Sequence, residues 1–226
     1  MKAMILAAGR GVRMRALTDS IPKPLLPVCG KPLIVHLIER LRHCDFDQLV
    51  INVSHLGALI ESALGDGAAL GVSIAYSREA RALETAGGIA TALPLLGEAP
   101  FVVANGDIYS DFDFGRLLAV ARGLSVANPA HLVLVDNPSH HPAGDFSLRA
   151  GRLAEGAGPR LTFSGIGVYH PALFSTVAPG HPYRLAQLLR QSIAQGQVSG
   201  ERHDGLWMDI GTPERLADLE LRLTRQ

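Results

Sequence analysis

The chain has 226 residues, 47% of them hydrophobic, and its 21 basic side chains are balanced by 21 acidic ones. That length suits one sizeable core, so a single α/β domain over residues 1–226 is expected, and the balanced charge gives no overall field for nucleic acid or an anionic membrane. No apolar run nears the ~20 residues that span a bilayer, the N-terminal apolar stretch is too short for a secretory signal, and Cys29 and Cys44, without CxxC or zinc-ligand spacing, read as reduced packing residues rather than nucleophiles, which together point to a cytoplasmic protein.

The first predicted strand, Ala3–Ala7, runs into Gly9-Arg10-Gly11-Val12-Arg13-Met14, and Pro22-Lys23-Pro24 follows. An apolar strand that delivers a glycine-rich basic loop suits a polyphosphate. Glycine lets backbone N–H groups approach phosphate oxygens, and Arg13 and Lys23 add charge. A Walker loop fails, because Gly30-Lys31 is followed by Pro32 rather than Ser or Thr. A dinucleotide fingerprint fails as well: Met14 stands where its third glycine belongs, and the second strand, Leu49–Val53, ends in Ser54-His55. A flexible turn with incidental arginines remains the alternative.

Helices are predicted over Leu33–His43, Leu56–Leu64, Gly88–Leu93 and Phe114–Arg122, alternating with strands at Val72–Tyr76, Phe101–Asn105 and Leu132–Val135. Strands apolar on both faces and separated by helices imply a mostly parallel sheet covered on both sides. Such sheets bind ligands beyond the strands' carboxyl ends, where Gly9, Asn105 and Asp107 should face one crevice. The second half is less regular. Phe163–Tyr169 reads as a strand, Leu185–Gln195 as a helix, and a last helix opens with Thr212 as cap and Pro213 at its first position. Its leucines, Leu216, Leu219, Leu221 and Leu223, suit packing, while Asn137–Pro142 and Glu155–Pro159 read as loops.

Asn105-Gly106-Asp107 places a carboxylate at a strand's carboxyl end, where it can hold one face of Mg²⁺, an ion that keeps waters and phosphate oxygens. The same tripeptide is good turn chemistry. Asp209 follows the short apolar run Leu206-Trp207-Met208 and either caps structure or completes a metal site with Asp107. Leu83-Glu84-Thr85-Ala86-Gly87-Gly88 reads as a small-residue loop entering a helix, suited to a nucleobase edge or a phosphate. Glu84 there either accepts a hydrogen bond from base or sugar, or is a helix-start charge. His140-His141 lacks ligand spacing and reads as part of a solvated loop.

Gly9-x-Gly11-x-Arg13-Met14, Pro22-Lys23-Pro24, the Glu84–Gly88 segment, Asn105-Gly106-Asp107 and Asp209-Ile210-Gly211-Thr212-Pro213 together resemble the sugar-1-phosphate nucleotidylyltransferase family, over essentially the whole chain. Leu83–Gly88, Gly144-Asp145-Phe146, Thr162–Tyr169 and Trp207–Pro213 resemble its short members that act on N-acetylmuramic acid 1-phosphate in cell-wall sugar recycling. The resemblance implies a three-layer Rossmann-like sandwich of the nucleotide-diphospho-sugar transferase type, with a mostly parallel mixed sheet. It also implies Mg²⁺, a nucleoside triphosphate and a sugar 1-phosphate as ligands. The chain departs from the family at Val12, at Ala16 where proline is usual, and at Glu155-Gly156, where larger relatives carry Glu-Lys. No β-helix acyltransferase domain is expected.

By the same resemblance, Arg13 and Lys23 are the catalytic cations, on pyrophosphate and α-phosphate respectively. Gly9, Gly11 and Val12 would hold the triphosphate of UTP, and Ala7, Ala8, Glu84, Gly87 and Gly88 would frame the uracil. Asn105, Asp145, Glu155, Gly165 and Trp207 are the sugar-phosphate candidates, and Asp107 and Asp209 the metal ligands. GTP with mannose 1-phosphate or a heptose 1-phosphate is the alternative pair, and a nucleotide-binding regulatory pseudoenzyme a further one.

Overall fold

The computed structural model describes residues 1–156 and 158–224, with the side chains of Val12, Arg15 and Ala16 outside that description. In chain order the elements are β1 (Lys2–Leu6), β2 (Pro27–Val28), β3 (Lys31–Pro32), α1 (Leu33–His43), β4 (Gln48–Val53), α2 (Gly57–Leu64), β5 (Ser73–Arg78), α3 (Glu84–Leu96), β6 (Phe101–Asn105) and β7 (Ile108–Ser110). Then come α4 (Gly115–Ala121), β8 (Ala130–Val135), β9 (Ser147–Arg149), β10 (Arg152–Ala154), β11 (Thr162–Tyr169), α5 (Leu185–Ala194), β12 (Val198–Arg202), β13 (Trp207–Asp209) and α6 (Pro213–Thr224). Short 3-10 turns cover Val12–Thr18 and Lys23–Leu25.

Nine strands form one sheet in the order β5-β4-β1-β6-β11-β8-β12-β10-β9. The first four are mutually parallel, as their continuous apolar runs predict. β11 runs antiparallel to both β6 and β8, and β10 to both β12 and β9, so the sheet is mixed but mostly parallel.

Alternate strand residues feed two cores, which makes the three layers. Ala3, Ile5, Leu49 and Ile51 pack with Ile34 and Ile38 of α1 and Ile60 of α2 on one face. Met4, Val50 and Val103 pack with Ile89 of α3 and Leu188 of α5 on the other. Full burial of such side chains stabilises by roughly 1.5–3 kcal/mol each, so the frame behind the strand ends is stiff. A third cluster joins Val28, Leu33, Tyr109, Ile210 and Leu219, docking α6 beside the strand ends. Leu221 of that helix is 57% exposed and takes no part in packing.

Two expectations need correction. The helix placed at Gly88–Leu93 begins at Glu84, so Glu84–Gly88 is helix rather than loop. Ala86 and Gly87 N–H both donate to the carbonyl of Tyr183, at 2.9 and 3.2 Å, and this tertiary pairing overrides the low helix propensity of glycine. Cys29 is exposed rather than a packing residue, while Cys44 is partly buried. Among the described residues no helix is long and apolar enough to cross a membrane.

Candidate active site

The carboxyl ends of β1 and β6 open into a cleft of about 470 Å³, lined by Ala7, Ala8, Gly9, Gly11, Arg13, Lys23, Asn105 and Asp107. Its volume falls within the range of small-molecule sites. Two hydrogen bonds fix its floor: Ala7 N–H donates to Asn52 Oδ1 at 2.8 Å, and Gly106 N–H to the Leu6 carbonyl at 2.8 Å. Gly11 turns the loop with φ +63°, and a Cβ there would crowd Thr18 and Lys23 at 3.1–3.2 Å. Met14, fully buried, anchors the loop, and its N–H donates to the Gly11 carbonyl. A Cβ on Gly9, by contrast, would meet no atom within 4 Å.

The acidic half of the site comes from two strands of a separate ribbon. β13 pairs antiparallel with β7, setting Asp209 opposite Ile108, and Ile210 N–H donates to the Asp107 carbonyl at 2.8 Å. The two aspartates expected to converge therefore leave adjacent backbones. Each carboxylate holds a cation of the chain itself. Buried Lys23 Nζ pairs with Asp107 Oδ2. Arg215 Nη1 donates to Asp209 Oδ1 and Oδ2 at 2.6 and 2.5 Å, and His140 Nε2 lies 3.0 Å from Oδ1. The loop of His140-His141, expected to be merely solvated, touches Asp209 through His140, while His141 Nε2 lies 3.1 Å from Asp145 Oδ1. Among the described residues no group of three or more His, Cys, Asp or Glu is placed to share an ion. Two carboxylates suffice for Mg²⁺, which takes few protein ligands and completes its shell with phosphate oxygens and water; the donor set fits that ion.

One wall was not anticipated from sequence. Asn52 Nδ2 donates to Glu79 Oε1 at 2.7 Å, and Leu83 N–H donates to Glu79 Oε2 at 3.2 Å. Glu79 is only 7% exposed, and burial pushes its carboxyl above the ordinary range against the pull of these two bonds. Asn52, Glu79, Leu83 and Glu84 all line the cleft. Asn52 carried a signal, a polar residue inside the apolar run Val50-Ile51-Asn52-Val53; Glu79 carried none.

Gly87 and Gly88 do not line the cleft, which corrects their expected contact with the base. A Cβ on Gly88 would fall 2.5 Å from Glu79 Oε1, and one on Gly87 would strike the His181 carbonyl, so both glycines serve close packing. Glu84 adopts φ +57°, a left-handed backbone that favours glycine, and its carboxylate lies 3.7 Å from Arg184.

The sugar candidates divide. Asn105 lines the cleft, and Gly165, at φ +81°, lets the Asn105 amide pass, since a Cβ would come within 2.5 Å of its Nδ2. Trp207 is a wall support rather than a lining residue: Nε1–H donates to the Ser164 carbonyl at 2.8 Å and the ring packs on the core. Asp145 Oδ2 accepts from Phe163 N–H at 2.8 Å, outside the cleft's lining. Glu155 pairs with Arg190 at 3.0 Å, also away from the lining. Val12 contributes backbone to the loop, and its side chain lies outside the described residues.

A glycine-rich basic loop at a strand's carboxyl end, two aspartates on adjacent backbones and this mixed sheet are features of one class of protein. The nucleotidyl transferase family model matches residues 2–146, and the chain belongs to that family. It is 54% identical to the N-acetylmuramate alpha-1-phosphate uridylyltransferase of Neisseria meningitidis, over 97% of each chain. A protein of the same name from Caulobacter vibrioides is 34% identical, over 98% of this chain and 96% of its own. A Bacillus anthracis crystal structure containing sucrose shares the fold, with TM-score 0.87 at 24% identity over 98% of this chain and 94% of its own. The resemblance read from the sequence is thereby borne out.

Proposed function

We propose that the chain transfers a uridylyl group from UTP to N-acetylmuramic acid 1-phosphate, releasing pyrophosphate, in cytoplasmic recycling of cell-wall sugars, and that it works as one domain over residues 1–226. Identity of 54% with a uridylyltransferase over nearly the full length of both chains carries this reading. Arg13, Lys23 and Asp107 line one crevice, and Asp209, outside that lining, lies on the strand paired beside Asp107, which supports it.

The sugar phosphate oxygen attacks the α-phosphorus of UTP in line; a new P–O bond forms as the bond to the β-phosphate's bridging oxygen breaks. A phosphate monoester with a second pKa of ~6 is already mostly dianionic near neutrality, so no general base is required. The protein's task is then to align two anions and offset their repulsion. Gly9 and Gly11 present backbone to the triphosphate; the open space over Gly9 suits a close phosphate. Arg13 stabilises the departing pyrophosphate, and Lys23 turns from Asp107 to the α-phosphate. Mg²⁺ held by Asp107 and Asp209 would supply charge neutralisation between the two phosphoryl groups. Ala7, Ala8, Leu83 and Glu84 frame the base, and Asn105 binds the sugar. Glu79, whose carboxylate accepts, suits a base edge that donates, as N3–H of uracil, N1–H of guanine or the N4 amino group of cytosine does, so it binds a base without by itself selecting uracil.

A pyrophosphate-release assay crossing UTP, GTP, CTP and dTTP with muramic, glucosamine, mannose and glucose 1-phosphate derivatives tests this. Highest kcat/KM is expected for UTP with the muramic derivative. Preference for GTP with mannose 1-phosphate would replace this reading, and no pyrophosphate from any pair would refute it.

A further inference from the structure

A second guanidinium stands beside Arg13. Arg215 lies in the first turn of α6, and a Cβ built on Gly211 would strike its Nη2 and also come within 3.3 Å of Arg13 Nη2. Gly211 lines the cleft, so two cations crowd one point of its wall. Two local effects oppose this. A cation in a helix's first turn opposes the macrodipole, and adjacent guanidinium groups repel. Such an arrangement is suited to an anion. In the free protein that anion is Asp209, whose two oxygens Arg215 grips while it also contacts His140 Nε2 at 2.7 Å. Both partners are largely shielded, with side chains 18% and 23% exposed.

We infer that Arg215 is a phosphate-binding residue held in reserve: Asp209 keeps it in the free enzyme and releases it, on taking a divalent cation, to the phosphate of the incoming sugar 1-phosphate. This rests on the proposed reading of Asp209 as a metal-holding carboxylate. The oxygens that accept from Arg215 are the ones a metal would need, so both cannot be served in full together. Once displaced, a shielded guanidinium requires another anion, and the phosphates are the anions at hand. The sugar phosphate is the better match than the triphosphate tail. Arg13 belongs to the glycine-rich loop proposed for the triphosphate, whereas Arg215 comes from α6 and is held by Asp209 of the β13–β7 ribbon.

Arg215→Gln and Arg215→Lys, with Asp209→Asn as reference, test the inference. Mn²⁺ binding without substrates is measured by electron paramagnetic resonance, and KM is measured separately for UTP and the sugar 1-phosphate. Arg215→Gln should bind Mn²⁺ at least about fivefold more tightly, because its competitor is gone. Its KM for the sugar phosphate should rise at least about tenfold with that for UTP nearly unchanged, and lysine should restore part of the loss. Unchanged or weaker Mn²⁺ binding by Arg215→Gln, while Asp209→Asn loses it, overturns the inference alone. A rise in the KM for UTP instead of the sugar phosphate overturns it too. Wild-type Mn²⁺ binding by Asp209→Asn removes the reading of Asp209 and the inference with it.

Discussion

Ile210 N–H donates to the carbonyl of Asp107 at 2.8 Å, and this one bond joins the two acidic segments of the cleft. Beside it, Met208 faces Tyr109 and Asp209 faces Ile108 across the β13–β7 ribbon. The backbones that carry the two carboxylates are thus set by pairing, which suits their proposed role of holding one ion.

On the proposed mechanism each carboxylate or cation acts on charge that develops during transfer, so its loss should appear mainly in turnover. Asp107→Asn, Asp209→Asn and Lys23→Ala are each expected to lower kcat/KM about 100-fold, or ~3 kcal/mol. Pyrophosphate release under saturating Mg²⁺ checks this; a variant within about threefold of wild type would remove that residue from the site.

The Asn52–Glu79–Leu83 wall makes a sharper claim about the base. Both partners of Glu79 are donors, so Glu79→Gln leaves one of them facing an amide NH₂. A KM for UTP raised about tenfold is expected, from loss of a hydrogen bond worth ~1.5 kcal/mol, with CTP binding weakened alongside it. Thermal-shift titration with UTP and CTP measures both effects.

Glu84 sits in a backbone conformation that costs a non-glycine residue about 1 kcal/mol, and its ion pair with Arg184 is exposed and weak. Glu84→Gly should therefore raise stability by about 0.5–1 kcal/mol with UTP binding retained. Denaturant unfolding gives the first quantity and a UTP titration the second; a tenfold loss of UTP affinity would show that the carboxylate touches the nucleotide.

Away from the cleft, the hydrogen bond from His131, with Arg116 as a further cation, holds the Glu201 carboxyl below its ordinary 4.5. A lowered folded value means this contribution is present in full above pH 4.5 and is lost as pH falls through the folded value. Glu201→Gln should thus be less stable than wild type by about 1 kcal/mol near pH 6. The gap should close as pH falls below 4.5 and through the lowered folded value. Thermal melts of both proteins at those pH values test the sign.

Long apolar runs were legible: Phe101–Asn105 and Leu33–His43 have the expected boundaries, and Gly9, Asn105 and Asp107 meet at strand ends as the topology required. Three-residue strands were not, because β7 and β13 are too short to show a period, so Asp209 could be suspected but not placed. Gly87 and Gly88 misled for a physical reason. Glycine suggests a loop, yet here it admits the 181–183 backbone and the Glu79 side chain against a helix. Arg215 was hidden among the charges of an ordinary amphipathic helix, and only the crowding at Gly211 marks it out.

The antiparallel ribbon has a consequence for biosynthesis. Its second strand, Trp207–Asp209, follows the first, Ile108–Ser110, only after α4 through β12, so a polypeptide emerging from the ribosome can lay down β1 through β6 and still lack the partner strand. The nascent protein is expected to stay inert toward a nucleoside triphosphate until residues 207–209 have left the ribosome.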